Sequence, residues 1–452
     1  MSTMISRTQT AGTNPKKLTV SFWMKATTLG TNQGIWGCGT GAGDAVSLHF
    51  QSADRFSLET YDGSANPKLL VNRKLRDPAA WYHIVCSIDT TNTTSTDRLK
   101  LYVNGERLTD IQQYTTITQD SDIPGWSGSG DTLKIGNRIL DGDAYFKGLL
   151  THFHVIDGTI YTPTDFAETD SVSGIWKPKT APSLSYGANG GFYKFENSAA
   201  MGTDSSGQSN NCSVSGTLTQ NVDSPSKNYN TLSPIAYSTS GVTLSNGNTS
   251  FNSGSGVQYA FGIPSFALNK GKWYFESKIG HTCAGLYIGD TNQVVEAVRN
   301  STRIGVGSQQ YSWECNGNFQ NNNSQTSYGS TASANDIIGM FVDLEDNKLY
   351  IAVNGTIQNS GTGFSITDPN STETGFYYVG GIADQCGATA NVTADMNYGG
   401  GYFGTTAVSS AQADANGEGV FEYSPNQGGA SNFDSAAKNF YALNTKNIKE
   451  FG

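Results

Sequence analysis

Four short constellations in this 452-residue chain carry residue types able to do chemistry. The first is Glu168-Thr-Asp-Ser-Val-Ser173. Glycosidases that place their acids on one strand use Glu-x-Asp-x-x-Glu, which lines three carboxyls along one side of a groove. Here Ser173 stands where the third acid belongs, and the segment falls in the Thr162–Trp176 connection rather than a strand. Without that acid a retaining mechanism has no proton donor. The second is His152 and His154, which alternate on one strand and so point the same way. Two imidazoles begin a metal site, but a closed or catalytic one needs three or four ligands. Asp157 falls on the opposite face by parity, and structural or surface histidines are the competing reading. The third is Asp141-Gly-Asp143, whose carboxylates suit calcium. A hard cation wants six or more oxygens, and an acidic glycine turn accounts for the same residues. The fourth is Gln309-Gln-Tyr-Ser-Trp-Glu-Cys-Asn-Gly-Asn-Phe-Gln-Asn-Asn-Asn323. Aromatic faces stack on sugar rings and amides bond hydroxyls, so Tyr311, Trp313, Asn316 and Asn318 are the candidate ligand-binding residues. Aromatics at spacing two equally describe half-buried sheet residues.

Other chemistry finds no support. There is no Gly-x-Ser-x-Gly elbow for a nucleophilic serine. Gly399-Gly-Gly401 lacks the following helix and lysine of a phosphate loop. Glu345-Asp346 reads as solvated charge in a turn between strands. No catalytic residue, metal or cofactor is assigned, and the expectation is a protein that is not an enzyme.

The elements that must position these residues are strands almost throughout. Short runs alternate apolar and polar residues, as in Leu18–Met24, Val46–Phe50, Leu99–Val103, Thr132–Ile135, Lys272–Ile279, Ile337–Asp343 and Lys348–Val353. Helix candidates are short, Thr162–Glu168 and Asp434–Lys438. Two hairpins share one plan: Leu99-Lys-Leu-Tyr-Val-Asn-Gly-Glu and Lys348-Leu-Tyr-Ile-Ala-Val-Asn-Gly-Thr. Asn-Gly signals a type I′ turn, which needs positive φ at both central residues. Many short strands with frequent turn signals imply all-β sandwiches.

Composition narrows the class further. Only 15% of residues are charged and 11% are aromatic, so charge-driven disorder is excluded and bulky core material is present. The net charge of −10 comes with no basic run, which argues against nucleic acid and anionic membranes. No apolar run approaches the ~20 residues of a membrane span, and Met1–Arg7 has no signal-peptide core. The six cysteines form no C-x-x-C pair, so the expectation is buried free thiols in a reducing cytoplasm.

Residues 18–176 resemble a laminin-G-like, concanavalin-type jelly roll through Val20-Ser-Phe-Trp-Met24, Trp81-Tyr-His-Ile-Val85, Leu101-Tyr-Val-Asn-Gly105, Ile135-Gly-Asn137 and Phe146-Lys-Gly-Leu-Leu150. Residues 270–400 resemble a SPRY domain through Gly271-Lys-Trp-Tyr-Phe-Glu276, Ile304-Gly-Val306, Asp336–Asp343 and Leu349-Tyr-Ile-Ala-Val-Asn-Gly355. Joining motifs follow in order: Val155–Phe166, Ser173-Gly-Ile-Trp-Lys-Pro178, Tyr186–Phe192, Gly202–Gly207, Asp223–Asn228 and Phe440–Ile448. That arrangement is similar to a group of bacteriophage virion proteins of marine tailed phages, labelled fibre, tail or capsid-appendage proteins.

The resemblance implies a jelly roll over 1–180, a connecting extension over 181–230, a SPRY-like sandwich over 231–405 and a C-terminal segment over 406–452. It implies a structural virion protein that assembles in the host cytoplasm, contacts other capsid or tail proteins, forms homo-oligomers, and displays a surface to host glycan. A receptor-binding tail fibre and a glycan-cleaving depolymerase are the alternatives. Nucleic-acid binding and membrane insertion are not expected. Such chains open with an extra strand before the segment that is Ser6-Arg-Thr8 here. The short Met1–Ile5 start therefore implies a shortened strand, or an edge filled by another chain.

Overall fold

A computed structural model describes all residues except 1–2, 127, 141, 143, 172–173, 236–240, 258, 388–390, 427–432 and 435. The chain divides into two units, Met1–Gln220 and Asn221–Gly452. Both are built from antiparallel sheets, as the strand pattern predicts. Residues 181–220 belong to the first unit and 221–230 to the second.

The first unit is a sandwich of an eight-stranded and a six-stranded sheet. Lys17–Ala26 shows how the sequence sets the layers. Leu18, Val20, Phe22 and Met24 point into the core between the sheets, while Trp23 joins Trp81, Trp176 and Leu149 on the outer face. That outer face is covered by the segment following the strand Gly148–Asp157. Its Phe166, Tyr186 and Phe192 pack on Val85 and Ile156. The predicted helix near 162 is present as Pro163–Phe166. The opening strand Met4–Thr8 pairs with Thr132–Ile135 on one side and Ser213–Ser215 on the other. The edge expected to await another chain is thus occupied by this chain's own residues 213–215.

The second unit pairs a nine-stranded sheet with a seven-stranded one. Trp273, Phe275, Met340, Val342, Leu349 and Ile351 enter the core from the first, and Leu286, Ile288, Tyr311 and Trp313 from the second. The opposite face of the nine-stranded sheet presents Tyr274, Phe341 and Tyr350, which are covered by Phe421, Phe433 and Phe440. Tyr441–Ala442 adds a parallel pairing beside Trp273 and Tyr274. Glu276, fully buried, fastens this cover. It accepts the backbone N–H groups of Glu422 at 3.0 Å and Tyr423 at 2.7 Å, the Tyr274 hydroxyl at 2.9 Å and the Asn397 amide at 3.1 Å. Burial outweighs these donors and raises the Glu276 carboxyl to about 7.

The outer face of the seven-stranded sheet carries a helix the sequence reading did not anticipate, Thr291–Asn300. Its Val294, Ala297 and Val298 pack on Tyr287, Phe261 and Ala383. The Asp290 carboxylate caps it, accepting the N–H groups of Asn292 and Gln293. A further helix, Thr445–Phe451, starts at Asn444. The helix expected at 434–438 is not formed among its described residues; Phe433 and Ala436 bridge instead.

Both Asn-Gly turns adopt the predicted positive φ, 49° and 86° at Asn104 and Gly105, and 47° and 77° at Asn354 and Gly355. Each asparagine also reaches beyond its hairpin. Asn104 Oδ1 accepts the His83 N–H while its own N–H bonds the His83 carbonyl. Asn354 makes the same reciprocal pair with Ile337. Of the six cysteines, Cys38, Cys86, Cys212 and Cys315 are buried and free, as expected. Cys283 and Cys386 instead form a disulfide, their Cα atoms 5.3 Å apart. At a sequence separation of 103, spacing gave no sign of it.

Candidate functional site

The densest set of chemically capable side chains lies on the outer face of the eight-stranded sheet of the first unit. Ser57, Glu59 and Tyr61 alternate along the strand Phe56–Tyr61 and so share that face. Register places His49 opposite Ser57, and both Ser47 and Lys68 opposite Glu59. The fourth side of the site is a turn over 137–139. It lies directly on the sheet because glycines stand beneath it: a Cβ on Gly34 would come 2.4 Å from the Arg138 nitrogen, and one on Gly37 3.0 Å from the Ile139 nitrogen. The turn carries Arg138 to within 3.0 Å of His49 Nδ1.

Glu59 is the hub. Ser57 donates to Oε1 at 2.6 Å, Tyr61 donates to Oε2, and Lys68 Nζ lies 3.0 Å from Oε1. His49 Nε2 stands 3.9 Å and Arg138 Nη1 4.0 Å from the carboxylate. Burial pushes the Glu59 carboxyl up, but His49 and the bonds from Ser57, Tyr61 and Lys68 outweigh it and hold it below its ordinary value. Tyr61 moves the other way, raised by burial and by its bond to Glu59. The Ser47 hydroxyl is buried and has no hydrogen-bond partner among the described residues. Lys68 and Tyr61 are partly exposed and form the rim. The arrangement is a buried anion, Glu59 at 2% and Ser57 at 0% exposure, that fixes Lys68 and Tyr61 at the surface as the groups able to hydrogen-bond a hydroxyl-bearing ligand. An ionised Glu59 does not serve as the acid half of a two-carboxylate glycosidase.

The sequence reading passed over this site, although Ser57-x-Glu59-x-Tyr61 shows its period. The residues it did favour are placed differently. Tyr311 and Trp313 are buried, at 2% and 0% exposure, with Tyr311 against Phe364 and Tyr377. Neither ring offers a face to a ligand: both lie in the core between the sheets, buried more completely than the half-buried alternative expected. Asn316 is exposed and Asn318 half-buried. Asn316 accepts the Asn318 N–H at 3.0 Å and donates to Glu314 at 3.2 Å, while Asn318 donates to Gln325 at 3.3 Å. These amides brace a hairpin. Glu314 there also takes the Arg303 guanidinium and Gln325.

The remaining candidates resolve similarly. The rings of His152 and His154 both approach Phe192, at 6.0 and 3.9 Å. His154 shares a 2.9 Å hydrogen bond with the Tyr186 hydroxyl. No group of three or more His, Cys, Asp or Glu able to hold a metal occurs among the described residues. Burial lowers His152 to about 4 and His83 to about 3, and lowers His154 well below its ordinary value. Glu168 and Asp170 flank Lys177, at 3.8 and 2.7 Å, in a small hairpin of Ala167–Thr169 with Trp176–Pro178. Asp141, Asp143 and Ser173 lie outside the described residues. No helix among the described residues is long and apolar enough to cross a membrane.

Residues 4–162 match the concanavalin A-like lectin/glucanases superfamily, and residues 272–394 match the SPRY domain. The chain thus carries a concanavalin-like domain and a SPRY domain in series. No curated protein matches it. Similar solved structures include a heptameric SAP-like pentraxin from Limulus polyphemus, at 18% identity over 35% of this chain and 71% of that one, with a TM-score of 0.26. A Bacteroides ovatus protein described as carbohydrate-binding matches at 20% identity and a TM-score of 0.34. That match covers 47% of this chain and 56% of that one, little more than half its length. The SPRY domain of human HERC1 matches at 16% identity over 34% of this chain and 91% of that one, with a TM-score of 0.25.

Proposed function

We propose that this chain is a non-catalytic structural protein of a bacteriophage virion, a capsid fibre, decoration or tail appendage, that binds host-surface glycan through its first domain. The observation that carries the glycan reading is the pair Lys68 and Tyr61, held at the surface of a concanavalin-like sheet by the buried, ionised Glu59. Fixed hydrogen-bonding groups on a rigid sheet recognise hydroxyl-bearing ligands with little loss of side-chain entropy. The virion reading rests on the ordered joining motifs, from Val155–Phe166 to Phe440–Ile448. A chain with few charges and many tight turns suits exposure on a particle.

Two experiments test this. Locating the chain in a particle reconstruction tests the virion assignment, and its absence from purified particles refutes it. Incubation with host polysaccharide tests the chemistry. Retention without new reducing ends is expected, release of reducing ends establishes a depolymerase, and absence of retention refutes glycan binding.

A further inference from the structure

The Cys283–Cys386 disulfide sits where an external thiol can reach it. Cys386 is exposed and Cys283 half-buried, whereas the four free cysteines are buried. A polar side chain takes the backbone N–H of each half-cystine. His281, half-buried, accepts the Cys283 N–H on Nδ1 at 3.1 Å. Asp384, fully buried, accepts the Cys386 N–H on Oδ1 at 2.9 Å. Its second oxygen, Oδ2, is buried without a hydrogen-bond partner among the described residues. Burial raises the Asp384 carboxyl, against the opposing pull of the Cys386 N–H and His281.

The bond is also linked to a distant element. Gln385, adjoining Cys386, donates its backbone N–H to the Cys283 carbonyl at 2.9 Å. Its side chain bonds Ser312 at 2.8 Å and Arg303 at 3.2 Å. Arg303 in turn pairs with Glu314, which holds Asn316 and Gln325 at 3.2 Å each. These are the anchors of the hairpin formed by Asn318–Asn321 and the exposed edge strand Ser324–Ser327.

We propose that Cys283–Cys386 is an exchangeable disulfide through which low-molecular-weight thiols control the order of the 318–327 hairpin. An external thiolate attacks the sulfur of Cys386, the more exposed of the two residues. A new S–S bond forms there as the Cys283–Cys386 bond breaks, and its electron pair leaves on Cys283. The Cys283 thiolate takes a proton from water. A second thiolate attacks the external sulfur of the mixed disulfide, and the Cys386 thiolate leaves and is protonated. In sum, two external thiols are oxidised to their disulfide and the protein bond is reduced to two thiols. The external disulfide drives the same steps in reverse. Gln385 is then freed from the clamp that aims it at Arg303. This inference is independent of the glycan reading.

The test uses the full chain in native buffer with reduced glutathione, pulses of iodoacetamide, and peptide mass spectrometry. Cys283 and Cys386 should become labelled together at least about tenfold faster than Cys38, Cys86, Cys212 and Cys315, as exposed sulfurs do. Amide exchange over 318–327 should rise on reduction while that over 17–26 stays constant. The double variant Cys283→Ser, Cys386→Ser should show the raised exchange without any thiol. Labelling of the pair no faster than the buried four overturns the proposal. So does hairpin exchange that ignores both reduction and the double variant. If the protein is isolated with both thiols free, oxidised glutathione should close the bond, and failure to close overturns it equally.

Discussion

Replacing Glu276 with glutamine should remove a pH dependence whose size follows from its site. The carboxyl is fully buried and raised from its ordinary 4.5 to about 7. The folded state therefore keeps a proton that the unfolded chain releases once pH exceeds its ordinary value. Stability from this group is complete below pH 4.5, falls as pH rises through about 7, and is flat beyond. At 1.36 kcal/mol per unit, the fall is about 3 kcal/mol. In Glu276→Gln the remaining oxygen keeps the Tyr423 N–H and the Tyr274 hydroxyl, while the amide nitrogen faces the Glu422 N–H and the Asn397 amide; that costs the variant a pH-independent amount, so only the two pH dependences are compared. The assay is native-state amide exchange over 272–279 and 420–423 from pH 4 to 8, corrected for intrinsic rates. The wild type should lose about 3 kcal/mol of protection relative to the variant across that range. Parallel profiles for the two proteins, or a wild-type advantage that grows with pH, would refute the reasoning.

Other outcomes follow from the same geometry. Glu59→Ala should destabilise the first unit by about 3 kcal/mol in denaturant unfolding, since it leaves buried Ser57 and partly buried Lys68 and Tyr61 without their acceptor; Lys68→Ala should cost only about 1 kcal/mol, and both should abolish glycan retention. His83, His152 and His154 are held below their ordinary value, so the unfolded chain takes up protons first as pH falls. Their contribution is full above pH 6.5 and declines toward pH 4, and His154→Phe should lessen that acid loss in amide exchange of the six-stranded sheet. Gly105→Ala and Gly355→Ala both force a side chain into positive φ, at about 1 kcal/mol. A Cβ at 105 meets Trp176 at an ordinary 3.5 Å, whereas one at 355 falls 2.5 Å from Tyr423. Gly355→Ala should therefore lower the unfolding midpoint clearly more than Gly105→Ala.

Strands and Asn-Gly hairpins were legible because their signals are local. Alternation in Lys272–Ile279 states which side chains enter the core, and positive φ at Asn354 and Gly355 is a demand of one turn. Thr291–Asn300 was missed because its packing rests on Val294, Ala297 and Val298 alone, too few for a period over three turns. The Glu59 site was legible only in part. Its residues on 57–61 alternate visibly, but Lys68 and His49 join them through strand register, and Arg138 arrives because Gly34 and Gly37 let a distant turn settle on the sheet. The alternation of Tyr311 and Trp313 says that they share a face, but not whether that face is the inner one. Only the packing of the second sheet decides it.

The late cover on the nine-stranded sheet sets an order on synthesis. The first unit has all its strands once residue 215 has emerged from the ribosome. Trp273 and Tyr274 emerge much earlier than Tyr441 and Ala442, their parallel neighbours. Throughout that interval Tyr274, Phe341 and Tyr350 stand without Phe433 and Phe440. A nascent or prematurely terminated second unit is therefore an aromatic, adhesive surface. Its solubility in the cell depends on how quickly translation carries it past residue 442.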